Sequence, residues 1–81
     1  MKLRILLFGP AADMARAPAL FLDVPAGATV AQAREMLVSA WPALAPAVGS
    51  GWLAVNHAAA ADSVRLQESD EIALIALVSG G

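Results

Sequence analysis

The 81-residue sequence has no cysteine and no tyrosine, a single histidine, two tryptophans and two phenylalanines, and only 15% of it is charged. Without cysteine there is no disulfide, no thiolate nucleophile and no thiolate metal site, so redox chemistry of its own is excluded. The five cations, Lys2, Arg4, Arg16, Arg34 and Arg65, are scattered among seven acidic residues for a net charge of −2. No basic stripe results, and nucleic acid is not an expected partner. His57 has neither a nucleophile nor a second ligand beside it in the sequence, so it is expected to occupy a turn, and no metal site is expected.

Residues 36–61 carry no Asp, Glu, Lys or Arg. They do not read as a membrane span, because Pro42, Pro46, Gly49, Gly51 and Asn56 interrupt the run and would leave backbone groups unsatisfied in lipid. Nor does the N-terminus have the form of a signal peptide, with Arg4 inside its apolar run and Asp13 soon after. A cytoplasmic, soluble protein is expected. At this length there is one core, and it must rest on Leu, Ile, Val, Phe and Trp, because alanine buries little area. A deep private active site is not expected, so chemistry would be shared with a partner.

What is present is a clear order of elements. Residues 2–9 alternate as a strand, with Leu3, Ile5 and Leu7 on one face and Lys2, Arg4, Leu6 and Phe8 on the other. Gly9-Pro10 ends it, a loop runs through Pro18, and residues 19–24 form a second strand, closing a hairpin. Thr29 and Gln32 have the spacing of a capping box. Beyond them Val30, Ala33, Leu37, Ala40 and Trp41 share one face of a helix over residues 30–41. Pro42 stops that helix, and the segment to Gly51 reads as a loop. Residues 52–55 form a third strand, Asn56-His57 a tight turn, residues 58–61 a weak fourth strand, and residues 72–78 the strongest strand of all. Trp41 and Trp52 are expected to cover the core edge.

One main helix on a mixed sheet of four to five strands is an α+β arrangement. With hairpins on either side of a crossover helix, the first and last strands should lie together at the centre, a layout similar to the ubiquitin-like β-grasp. The expected organisation is a β-grasp domain over residues 1–78 and a flexible reactive tail over residues 79–81.

The last strand is apolar on both faces, Ile72, Leu74, Ala76 and Val78 against Ala73, Ile75 and Leu77. A sheet covered by one helix leaves one face to solvent, so Phe8, Ile75 and Leu77 are expected to form an exposed partner-binding patch. Asp70 and Glu71, being adjacent at a strand entrance, point to opposite faces and do not make a catalytic pair. Together with Glu68 they are expected to make the base of the tail acidic and to favour a partner with basic groups. The sequence then closes on Val78-Ser79-Gly80-Gly81. Two consecutive glycines at the end are expected by chance in roughly one chain in two hundred. Glycine passes where a side chain would collide, so such a tail can thread a narrow site and present its carboxylate as the reacting group. A frayed terminus is the competing reading.

These residues together resemble the small, sulfur-carrying subunits of molybdopterin synthase within the MoaD and ThiS sulfur-carrier family. The resemblance spans the chain and rests on Leu7-Phe8-Gly9, Gly27-Ala28-Thr29-Val30, Ala54-Val55-Asn56, Asp70-Glu71-Ile72-Ala73 and the closing Val78-Ser79-Gly80-Gly81. Two departures stand out: the family commonly has Pro-Pro where this chain has Ala76-Leu77, and Gly where it has Ser69.

The resemblance implies a sulfur carrier that is not an enzyme on its own and holds no permanent cofactor. An E1-like adenylyltransferase would use Mg-ATP to adenylate Gly81. A sulfur donor, such as a cysteine desulfurase or rhodanese, would then leave a thiocarboxylate, a covalent 1-thioglycine at Gly81. Val78, Ser79 and Gly80 would thread the tail into the large subunit of a heterotetramer of two large and two small subunits, where sulfur passes to cyclic pyranopterin monophosphate. Phe8, Ile75 and Leu77 would dock the large subunit or the activating enzyme. Carriers for thiamin thiazole or tRNA thiolation, a ubiquitin-like modifier, and a plain β-grasp interaction module remain as alternatives.

Overall fold

The computed structural model describes residues 1–76. The docking residue Leu77 and the tail positions Val78, Ser79, Gly80 and Gly81 lie outside the described residues, as does the expected boundary between domain and tail.

Five strands form one mixed sheet: β1 (Lys2–Leu7), β2 (Ala19–Asp23), β3 (Trp52–Val55), β4 (Ala58–Ala59) and β5 (Ile72–Ile75). Their order across the sheet is β2-β1-β5-β3-β4. The first and last strands are therefore central neighbours, and they run parallel, with Ile5 opposite Ile72 and Leu7 opposite Leu74. Every other pairing is antiparallel. This is the ubiquitin-like β-grasp.

The alternation seen in the sequence decides which face is covered. Leu3, Ile5 and Leu7 of β1, Leu20 and Leu22 of β2, Leu53 of β3, and Ile72 and Leu74 of β5 are all buried. They meet Val30, Ala33 and Leu37 of α2 (Val30–Ala40) in one core. Leu66, from the long connection before β5, closes it with 2% exposure. Each such side chain contributes about 1.5 to 3 kcal/mol by leaving water.

The start of α2 follows its expected chemistry. The Thr29 hydroxyl accepts from the Gln32 backbone N–H at 3.3 Å, and the Gln32 side chain accepts from the Thr29 N–H at 2.8 Å. Two otherwise orphaned donors are satisfied reciprocally. Asn56 and His57 also form the expected two-residue turn, with φ of 52° and 71°. Positive φ at both positions is the signature of the turn type whose twist matches a hairpin.

Two segments differ from expectation. The segment after β1 is a helix, α1 (Gly9–Ala15), and the segment after α2 is a 3₁₀ turn (Pro42–Leu44) followed by α3 (Ala45–Ser50). In each, proline lies within the first two helical positions. There its missing N–H costs nothing and its fixed φ suits the helix, so proline starts these elements rather than only ending their predecessors. The weak fourth strand is the two-residue β4 alone.

Candidate functional site

With α2 over one face, the other face of the sheet is open. Register builds it in rows. Leu6 of β1 lies across from Ala73 of β5, which lies across from Ala54 of β3. One step towards the C-terminal end of β5, Ile75 lies across from Trp52, and Phe8 follows the end of β1 on the same side. Small side chains thus make a floor beside larger ones, and together they line a shallow concavity. Phe8 is 55% exposed and Trp52 37%. An apolar concavity of this kind, on the uncovered face of a small domain, is the form of a partner surface.

The structure brings the expected docking residues Phe8 and Ile75 together on this face. Trp52 does not cover the core edge, and this is a correction: β3 buries Leu53, so the period of two turns Trp52 outward. Trp41 does pack against the core. Leu6, Ala54 and Trp52 were absent from the expected patch although the alternation of β1 and β3 places all of them.

The far end of the concavity is polar. His57 Nε2 lies 2.6 Å from Glu71 Oε2, in a pair exposed enough for water to screen it. Asp70 points elsewhere, accepting from Asn56 Nδ2 at 3.0 Å and from the Gln67 N–H at 2.8 Å. Asn56 Oδ1 in turn accepts from the Glu71 N–H at 2.9 Å. Asp70 and Glu71 therefore brace the turn and do not form an acid–base pair. Nor do they lie at the base of the tail. They enter β5, about 16 Å at the rise of a strand from Ala76, the last described residue. The acidic group and Ala76 lie beyond opposite ends of β5.

Near Ala76 the backbone is crowded. A Cβ on Gly51 would collide with the Ile75 carbonyl oxygen and would lie 2.8 Å from that of Ala47 and 2.9 Å from the Ala76 Cα. The junction of α3 and β3 is thereby pressed against the last described residues of the chain. Among the described residues there is no group of three or more His, Asp or Glu suited to hold a metal ion. No described helix is long and apolar enough to cross a membrane.

Comparison with known proteins places these features in context. The model of the ThiS family matches residues 5–81, which takes in the closing glycines. The chain is 33% identical over its full length to the molybdopterin synthase sulfur carrier subunit of Arabidopsis thaliana, covering 84% of that protein. Among solved structures, SAMP1 from Haloferax volcanii superposes with a TM-score of 0.85 at 32% identity, with complete coverage of both chains. The fold also matches, at a TM-score of 0.69 and 21% identity with complete coverage of both chains, a structure from Helicobacter pylori described as a complex of subunits 1 and 2 of molybdopterin-converting factor.

Proposed function

The chain belongs to the ThiS family, and from that premise we propose that it is a sulfur carrier for molybdenum cofactor biosynthesis, acting as the small subunit of a molybdopterin synthase. The observation that carries this reading is the 33% identity, across the whole chain, to a sulfur carrier subunit of that enzyme. The open face gives such a subunit a place to dock. The absence of cysteine from the sequence leaves the sulfur to be carried on a carboxylate.

In this reading a Gly81 carboxylate oxygen attacks the α-phosphorus of Mg-ATP on an E1-like adenylyltransferase, and pyrophosphate leaves. The acyl adenylate is activated because AMP is a far better leaving group than oxide. The outer sulfur of a persulfide on a sulfur donor, such as a cysteine desulfurase or rhodanese, then displaces AMP to give an acyl disulfide, and a second thiol cleaves its S–S bond, forming a disulfide with the donor and releasing the thiocarboxylate at Gly81. Val78, Ser79 and Gly80 thread the tail into the large subunit, in a heterotetramer of two large and two small subunits. There the thiocarboxylate sulfur bonds to cyclic pyranopterin monophosphate, water cleaves the resulting thioester to return the Gly81 carboxylate, and two deliveries build the dithiolene. The catalytic groups belong to the partners, and the cycle is cytoplasmic. Phe8 and Ile75, with Leu77, dock the partner.

The test is reconstitution. Thiocarboxylated protein mixed with a cognate large subunit should convert the pyranopterin to the dithiolene product, and a chain lacking Gly81 should not. Failure of the thiocarboxylated form with a large subunit that accepts its own carrier would exclude the molybdopterin assignment.

The similarity to SAMP1, a protein described as a small archaeal modifier, favours one second reading. There the same acyl adenylate is passed to a lysine amine of a target protein, forming an isopeptide bond. Conjugates that accumulate on lysines, with no thiocarboxylate form, would support it.

A further inference from the structure

The two edges of the sheet are guarded differently. β4 is two residues long, which gives a neighbouring chain little to pair with. β2 runs for five residues, Ala-Leu-Phe-Leu-Asp, without proline or lysine and without a bulge in its pairing to β1. Its free groups follow from register. Met1 and Val24 exchange bonds of 2.8 Å in both directions, and the Leu7 N–H donates to the Pro18 carbonyl at 2.8 Å. Stepping by two between these pairs, Leu20 and Leu22 face β1, so Ala19, Phe21 and Asp23 turn their N–H and C=O groups outward. Among the described residues nothing pairs with them. Phe21 is 57% exposed, with the Lys2 ammonium 5.7 Å from its ring centroid. Beside it, Met36 and Trp41 line a shallow groove between β2 and the end of α2.

We propose that this edge is a self-association surface, on which a second copy of the chain pairs its own β2 antiparallel, about a two-fold axis through Phe21. That register sets Phe21 opposite Phe21 of the second copy and Ala19 opposite its Asp23. All three outward residues of each strand then meet in reciprocal pairs, forming about six backbone hydrogen bonds. The aromatic pair at the centre is a favourable cross-strand contact.

Charge order selects both the direction and the occupant. Arg16 precedes the strand and Asp23 ends it. Antiparallel pairing carries the Asp23 of each copy towards the Arg16 of the other. Parallel pairing would set Asp23 against Asp23. A foreign extended peptide would find the same amides, but the second copy brings a matching order of charges with it. β5 stays separated from the seam by β2 and β1.

The contact is small, so a dissociation constant of roughly 10 μM to 1 mM is expected. Sedimentation velocity on the full chain across that range, with amide exchange followed by NMR, tests it. The expected result is a concentration-dependent dimer in which the amides of Ala19, Phe21 and Asp23 become slower to exchange. Phe21→Lys sets two cations face to face and should weaken association about tenfold or more. Phe21 is outside the core, so the melting temperature of that variant serves as the control for folding. Phe8→Lys, on the open face, should leave association unchanged. A monomer throughout the range would overturn the proposal. So would a dimer indifferent to Phe21→Lys, or one abolished by Phe8→Lys, and so would protection of the β2 amides appearing only with an added peptide.

Discussion

Gly51 has unremarkable dihedrals, φ −113° and ψ −159°, so its importance lies in the side chain it lacks. The Ile75 carbonyl and the Ala76 Cα occupy the space a Cβ would need. Both contacts are backbone, which yields less than a side chain does. Gly51→Ala should therefore cost about 1 to 3 kcal/mol, as overpacking does. In a urea melt the midpoint should fall, with the largest amide shifts at Ile75 and Ala76. The sequence marked this glycine only as the end of a loop, since Ile75 and Ala76, two of the three residues that crowd it, are more than twenty positions away along the chain. Asn56 was legible for the opposite reason. A turn needing positive φ favours asparagine from its own local chemistry, and the hydrogen bonds to Asp70 and Glu71 reinforce that choice. Trp52 was misplaced by size alone: a large aromatic suggests the core, but its parity with Leu53 had already assigned it to the open face.

Among the elements, α2 was readable because three independent signals agreed on it: a capping box, an apolar face and a proline after its end. Its cap is the place to test that agreement. Thr29→Ala removes the acceptor for the Gln32 N–H at the helix start and should lower stability by about 0.5 to 2 kcal/mol, measured by thermal or urea unfolding. Gln32→Ala should act at the same end of the same helix, and the double variant should cost less than the sum of the two, because the halves of the box support one another. The helices α1 and α3 escaped notice for a shared reason. They have only seven and six residues, too few for a helical period to establish itself, and their prolines read as stops. They form because the fold holds them. Ala11 of α1 and Ala47 and Val48 of α3 are buried in the common core, and packing supplies what local propensity does not. The central pairing of β1 with β5 was legible from the order of the elements, since hairpins on either side of a crossover helix bring the first and last strands together.

For the molecule as a whole, the sheet separates two tasks: one face builds the core and the other is left free. The open face was foreseen from an excess of apolar residues on β5, but its extent was not, because Leu6 of β1 and the pair Trp52 and Ala54 of β3 come from two distant stretches of sequence that only register brings together. This division predicts that the two faces respond differently to charge. Phe8→Lys lies on solvent-exposed surface and should change unfolding free energy by no more than about 0.5 kcal/mol. The same change should reduce affinity for a cognate large subunit by about tenfold or more in titration calorimetry, as loss of an aromatic anchor does. A Leu37→Ala control, in the core beneath the other face, should do the reverse, losing about 2 to 5 kcal/mol of stability. Direct contact between partner and the open face would then be separable from general damage.

In the proposed cycle the carboxylate of Gly81 is the reacting group, activated by a partner and loaded with sulfur. Intact-mass analysis of the full chain, after incubation with a cognate E1-like enzyme, Mg-ATP and a sulfur source, tests it most directly. The expected result is exchange of one terminal oxygen for one sulfur, abolished when Gly81 is deleted or when a residue is added after it. An unchanged mass, with an activating enzyme that loads its own carrier under the same conditions, would contradict it.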